Sequence, residues 1–299
     1  MVPSIQTDAQ CVGATAIPRQ RLTLTLLTRM GRSLAQRHRR SFTEDACQAI
    51  AAQSTPPEIH GAHHIPHTGA CLVVCNHYTA PRFSAWWLAF HITAALAAHR
   101  AQAAASEVHW VMTAEWRYPD RDWRRYALSP LTRRLFHRVA EVFGFVTMPA
   151  MPPEPDEFQA RVTSVLRTIR LARRLVATDG ILGMAPQGRD TPHLLTPPPD
   201  GAGAFIALLV ETGLPILPVG VAGYRGRVHL SFGPLFIPTI PADCTRRDRA
   251  VSAQVMHAIG AEIPPGLLDS ESRRSQEVEP RGGGRQRSAA DRGDKLLSK

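Results

Sequence analysis

Short apolar runs alternate along the chain with longer segments in which apolar and polar residues recur at helical spacing. The runs are rich in Val, Ile, Leu and Phe and are bounded by Gly, Pro or polar residues, which is typical of buried strands. They lie at 70–75, 108–113, 143–148, 181–185 and 216–221, and a sixth lies within 226–236. A further short strand is predicted just before the turn around Pro66.

The segments between these runs are long enough to form helices. Their periodicity predicts helices over 43–53, 83–99 and 204–212, a helix that begins at Asp156 or Glu157 and ends near 177, and partial helix up to 138. Strands separated by helices of ten or more residues form crossover units with parallel pairing. The sequence therefore predicts an α/β fold with a mostly parallel or mixed central sheet flanked by helices.

The two ends of the chain differ in composition from the middle. Apolar residues recur every four positions from Leu22 to Leu34 and predict an amphipathic helix within 19–40, among seven arginines and a single acid, Asp8. Such a helix can lie on a membrane surface or pack on its own domain, and the pattern favours neither. We expect a basic arm at 1–41, the main α/β domain at 42–269, and a disordered Gly-, Arg- and Ser-rich tail at 270–299.

A net charge of +10 suits anionic partners, namely nucleic acid, anionic lipid or a phosphorylated substrate. No zinc-finger spacing, aromatic RNA-binding signature or basic zipper is present, so we expect no nucleic acid partner. No apolar run is long enough to span a bilayer, and no signal peptide is evident. The five cysteines form no CxxC pair, which favours a reducing compartment. These features predict a cytoplasmic protein, peripheral on the inner face of a membrane.

Four histidines between positions 60 and 67 raise the question of a metal site. Gly61 and Pro66 would break any helix that could align them, and we expect no acidic or cysteine ligand near them. We therefore expect no metal ion.

Polar residues follow several of the predicted strands. Asn76 and His77 come directly after one, and 186–189, a Pro-Gln-Gly-Arg segment, comes after another. Sites in open α/β sheets collect at the carboxyl ends of strands, so we expect these residues to share one pocket.

In these segments the chain resembles the glycerolipid acyltransferase family, which includes the lysophosphatidate and glycerol-phosphate acyltransferases. That family's first motif is Asn-His, four residues and Asp; "VVCNHYTAPR" supplies Asn76 and His77 but has Arg82 at the Asp position. "MAPQGRD" resembles the third motif, Phe-Pro-Glu-Gly-Thr-Arg, with Gln187 in place of Glu and with Gly188 retained. "LPILPV" at 214–219 fits the fourth, and "GFVTM" at 144–148 fits the second in part.

The resemblance covers roughly residues 58–236, with the motifs in order, and implies a divergent member with a degenerate first motif. It implies that His77 is the general base, that Asn76 positions its turn, and that Arg189 and Arg82 contact an anionic group of the substrate, beside Gln187 and Gly188. The acyl donor would be acyl-CoA or acyl carrier protein, as a co-substrate rather than a bound cofactor, and the acceptor a hydroxyl of a (phospho)glycerolipid.

A histidine base normally needs a carboxylate to orient its ring, and Arg82 occupies the place of that carboxylate. Two acids could replace it. Glu115 follows the strand at 108–113 and would reach His77 if the two strands were neighbours, whereas Asp190 follows the Gly-Arg loop. The missing motif acids also support an alternative, a catalytically inactive lipid- or acyl-binding protein on the same fold.

Overall fold

The computed structural model describes residues 17–80, 83–101, 107–117, 122–150, 157–188 and 193–268. Arg82, Arg189 and Asp190 lie outside these ranges, as do residues 1–16 and the predicted tail at 270–299.

Seven strands form one sheet in the order β1-β7-β6-β2-β5-β3-β4. They are β1 (Glu58–His60), β2 (Cys71–Cys75), β3 (Val108–Thr113), β4 (Val146–Met148), β5 (Ile181–Met184), β6 (Ile216–Tyr224) and β7 (Arg227–Phe232). Every neighbouring pair is parallel except β6 and β7, which form an antiparallel hairpin. The α/β fold and its mixed sheet are confirmed.

Helices cover both faces of the sheet. They are α1 (Leu24–Gln36), α2 (Phe42–Ala51), α3 (Ala85–His99), α4 (Asp122–Phe143), α5 (Phe158–Ala177), α6 (Ala202–Val210) and α7 (Cys244–Ala261). Buried residues of α1–α4 form one core and those of α5–α7 another. In β2, Val73 belongs to the first core and its neighbours Leu72 and Val74 belong to the second, because successive strand residues point to opposite faces.

The N-terminal helix packs on its own domain. Thr23 caps α1 by accepting a hydrogen bond from the Leu26 N–H, and for this reason the helix begins later than its periodicity suggested. Leu26 is buried, and Met30 and Leu34 pack against the first core, while Leu24 on the other side is 79% exposed. Among the described helices, none is long and apolar enough to cross a membrane. The division of the chain at residues 41 and 269 stays a prediction.

Two local differences from the predicted elements have simple causes. The third apolar run yields only β4, because Phe143 ends α4 and Gly144 adopts a φ of 70°, which closes the helix. Strand β6 runs on to Tyr224 because it pairs with β7 through a two-residue turn in which Arg225 and Gly226 both have positive φ. Helix α7 was not predicted.

Candidate functional site

The central strands bring three separate segments of the sequence to one edge of the sheet. Strand β2 lies between β5 and β6, all three are parallel, and Val74 is level with Met184 on one side and Pro218 on the other. The residues after β2 and after β5 therefore emerge at the same edge, beside the second half of β6. His77 lies in the first of these two segments and Gln187 in the second.

Asn76 joins the end of β2 to β6. Its Nδ2 donates to the Val221 carbonyl oxygen at 2.8 Å and to the Leu194 carbonyl oxygen at 3.0 Å, and its Oδ1 accepts from the Val221 N–H at 2.7 Å. The side chain is completely buried. All of these bonds are to backbone, so Asn76 fixes the turn that carries His77, and its amide does not face a substrate.

Gln187 joins the end of β5 to the same turn. Its Oε1 accepts a hydrogen bond from the His77 backbone N–H, and its Nε2 donates to Thr196 Oγ1 at 2.8 Å. The side chain is 2% exposed. The next residue, Gly188, has a φ of 69° and donates its N–H to the Ala185 carbonyl oxygen, which closes a tight turn. Gln187 thus positions His77 through its backbone.

His77 is half-buried at the carboxyl edge of the sheet. Three residues later, Ala80 and Phe83 pair with each other through two backbone hydrogen bonds. The roles expected of Arg82, Arg189 and Asp190 stay predictions, because these residues lie outside the described ranges.

The role expected of Glu115 required β2 and β3 to be neighbouring strands, and they are not. Strand β5 lies between β2 and β3, so the end of β3 is two strand spacings, roughly 10 Å, from the end of β2. The carboxylate instead forms ion pairs: Oε1 lies 3.3 Å from Arg117 Nε, and Oε2 lies 3.5 Å from Arg133 Nε. Arg117 also pairs with Glu157. Glu115 therefore belongs to an ion-pair network beside a separate cavity of about 200 Å³ between β3, α4 and α5.

An open groove of about 800 Å³ lies beside the loop that follows His77. Thr79, Phe83 and Trp87 line it from the loop and from α3, and the exposed Arg19 and Arg21 line it from the N-terminal segment. The groove combines one half-buried aromatic side chain, Trp87, with two cations, which suits an amphiphile with an anionic head.

Sequence reasoning missed Arg19 and Arg21, which it assigned to the basic arm, and Thr196, the partner of Gln187. The composition also singles out Asn76, which is the only asparagine among the 299 residues. It lies where three backbone groups need hydrogen-bond partners.

Comparisons with known proteins give one solved structure to report. No family model matches the sequence, and no curated protein matches it. The chain is similar to the crystal structure of the 1-acyl-sn-glycerophosphate (LPA) acyltransferase, PlsC, from Thermotoga maritima, with 13% sequence identity and a TM-score of 0.41. The match covers 80% of this chain and 83% of that chain. A TM-score below 0.5 establishes no common function.

Proposed function

We propose that the protein is an acyltransferase that moves a fatty acyl group from a thioester to a hydroxyl of a (phospho)glycerolipid-like acceptor, with His77 as the general base. One observation carries the proposal. Three segments with acyltransferase-like motifs, far apart in sequence, meet at adjacent strands β6, β2 and β5, where Asn76 and Gln187 join them by hydrogen bonds.

In the proposed reaction, a ring nitrogen of His77 takes the proton of the acceptor hydroxyl as its oxygen attacks the thioester carbonyl. The carbon–sulfur bond breaks, an ester forms, and the proton leaves with the departing thiolate as a thiol. A carboxylate that orients the ring is worth on the order of 10⁴ in rate in the serine-protease example. We assign that role to Asp190, because it follows Gln187 by three residues and Gln187 is bonded to the His77 backbone.

The groove beside the loop that follows His77 supports the substrate class. The half-buried Trp87 can contact an acyl chain, and Arg19 and Arg21 can bind a phosphate at the mouth of the groove. Arg82 and Arg189 are proposed to add to this anion site. We also propose attachment to an anionic membrane surface, for which helix α5 has a suitable face.

Helix α5 carries both apolar and basic side chains that are exposed. Phe158, Val162 and Leu166 recur every four residues and are exposed, Phe158 by 67%. Arg167 and Arg170 are exposed on the same helix. Apolar residues that insert beside arginines that bind lipid headgroups are typical of helices that lie in a membrane interface. The proposed location is the cytoplasmic face.

Thiol release tests the reaction. Acyl-CoA and acyl carrier protein thioesters would be supplied in turn with a lysophosphatidate acceptor, and free thiol would be measured for wild type, His77→Ala and His67→Asn. We expect His77→Ala to lose about 10²–10⁴-fold in turnover, the usual contribution of a general base. His67 is exposed and lies outside the site, so its variant should match wild type. Undiminished turnover in His77→Ala would remove His77 as the base.

One observation favours the alternative, a catalytically inactive lipid- or acyl-binding protein. Gln187 stands where a carboxylate is expected, it carries no charge, and both ends of its amide are engaged with His77 and Thr196. A non-catalytic lipid- or acyl-binding protein would bind acyl thioester or lysophospholipid measurably, and would release no thiol with any donor.

A further inference from the structure

Three potential metal ligands meet at the end of the sheet that carries β1. Glu58 and His60 are alternate residues of β1 and so share one face of the strand, while Ile59 between them packs against the first core. His229 of β7 is level with Glu58 in the parallel pairing of the two strands. Its neighbour Leu230 also belongs to the first core, so His229 lies on the same outer face as Glu58 and His60.

The distances among the three side chains match those of a small coordination shell. His60 Nε2 lies 3.4 Å from His229 Nδ1 and 3.4 Å from Glu58 Oε1, and Glu58 Oε2 lies 3.8 Å from His229 Nδ1. A tetrahedral zinc site with bonds of about 2.1 Å has ligand atoms about 3.4 Å apart. The two imidazole nitrogens and one oxygen of Glu58 lie within 4.8 Å of one another, so small side-chain rotations would bring all three to one ion. Among the residues that the structure describes, no other group of three side chains comes together in this way.

A backbone contact fixes the ring of His229 in the orientation that a ligand needs. Its Nε2 lies 3.1 Å from the carbonyl oxygen of Tyr224, which can only accept a hydrogen bond. The proton of the neutral ring is therefore on Nε2, and the lone pair on Nδ1 points toward His60 and Glu58. Metal-bound histidines usually donate their second ring N–H to a carbonyl or carboxylate in this manner.

We propose that Glu58, His60 and His229 bind one Zn²⁺ ion, or another divalent transition ion with the same preference for imidazole and carboxylate. The side chains of Glu58 and His60 are 46% and 47% exposed, so the fourth position is open to water. The ion would link the three-residue edge strand β1 to β7. The site lies two to three strand spacings, roughly 10–14 Å, from the strand that precedes His77, so its role is in holding the sheet edge rather than in acyl transfer.

The expectation of no metal considered helical alignment of the four clustered histidines and overlooked Glu58, two residues before His60. Side chains alternate between the two faces of a strand, so Glu58 and His60 lie on one face of β1. The third ligand, His229, comes from β7, near the other end of the domain in sequence. The other clustered histidines lie outside the site: His64 Nδ1 bonds the Phe232 carbonyl oxygen at 2.8 Å, and His67 is exposed.

Metal binding by the full-length protein without an affinity tag tests the proposal. Apoprotein prepared with a chelator would be titrated with Zn²⁺ at pH 7.5 against a chromogenic competitor, for wild type, His60→Asn, His229→Asn and the control His67→Asn. We expect one ion per wild-type chain, at least a tenfold loss of affinity in either ligand variant, and none in the control. Thermal unfolding with and without Zn²⁺ should show a metal-dependent rise in midpoint that both ligand variants lose.

Two results would overturn the site. One is the absence of stoichiometric Zn²⁺ uptake by the wild type, and the other is uptake that His60→Asn and His229→Asn leave unchanged. The half-exposed His60 gives a variant that should keep the fold, which circular dichroism would verify. In the absence of an ion, the 3.4 Å contact is a plain histidine–histidine hydrogen bond, and the wild-type midpoint would then not respond to Zn²⁺.

Discussion

Replacing Asn76 with alanine should destabilise the fold more than any other removal of a single amide in the described chain. The side chain makes three hydrogen bonds to backbone groups of Val221 and Leu194, and no part of it is exposed. Each bond contributes about 1 kcal/mol, and each backbone group left unpaired in the interior costs about 1–3 kcal/mol. We expect Asn76→Ala to lower the free energy of unfolding by about 3–5 kcal/mol.

The chain provides a matched control in Gln254. Its amide also makes three hydrogen bonds to backbone, two with Thr239 and one with Ala250, but at the surface. Water can replace those bonds, so Gln254→Ala should cost no more than about 1 kcal/mol. Urea unfolding followed by circular dichroism measures both variants against wild type. Similar losses for the two variants would refute the inference that Asn76 is a buried link between β2 and β6.

Three further outcomes follow from single contacts. Burial lowers the pKa of His91 to about 4, so this histidine binds a proton at higher pH in the unfolded chain than in the folded protein. Between pH 7 and pH 4, the free energy of unfolding should therefore fall by about 3 kcal/mol more in wild type than in His91→Leu. Urea unfolding across that pH range measures the difference, and equal losses in the two proteins would contradict it. Gly203→Ala would place a Cβ 2.0 Å from a backbone oxygen of α7 and should lower the free energy of unfolding by about 1–3 kcal/mol. The Cβ of Gly31→Ala would meet nothing within 4 Å, and this variant should stabilise α1 by about 0.5–1 kcal/mol. Thermal midpoints below wild type for the first variant and above it for the second would confirm both. Gln187→Leu removes the acceptor for the His77 N–H and should reduce thiol release more than Gln187→Glu, which keeps it; equal rates would argue against positioning by this side chain.

The sheet could be predicted from the sequence because its strands are short apolar runs bounded by breakers. The limits of β3 were correct, and β2 and β5 were each one residue shorter than predicted. Helix α7 was missed although Val251, Val255 and Ile259 recur every four residues, because the surrounding residues are largely polar and its apolar stripe is narrow.

Strand order is the part of the fold that periodicity does not encode. Local patterns place a strand but do not select its neighbours, which are set by crossover connections and by packing across the whole sheet. The expected approach of Glu115 to His77 depended on β2 and β3 being adjacent, and β5 lies between them. The expected meeting of His77 with the Pro-Gln-Gly turn needed only that β2 and β5 be adjacent, and they are.

Residue types in the site were easier to predict than their roles. Gln187 was expected beside the anionic group of the substrate, but its buried amide is bound within the protein and serves the turn that carries His77. Asn76 was expected to position that turn, and its hydrogen bonds to β6 agree with this role. The grouping of Glu58, His60 and His229 depends on pairing between strands about 170 positions apart in sequence, which no local pattern reveals.

Formation of the ester itself tests the central claim most directly. Wild type and His77→Ala would be incubated with an isotopically labelled acyl thioester and a lysophospholipid acceptor, and labelled ester would be quantified by mass spectrometry, with thioester binding measured in parallel. The proposed function predicts labelled ester from wild type and at least about 10²-fold less from His77→Ala, with thioester binding retained. Thioester binding by wild type without any labelled ester, or equal ester from both proteins, would contradict it.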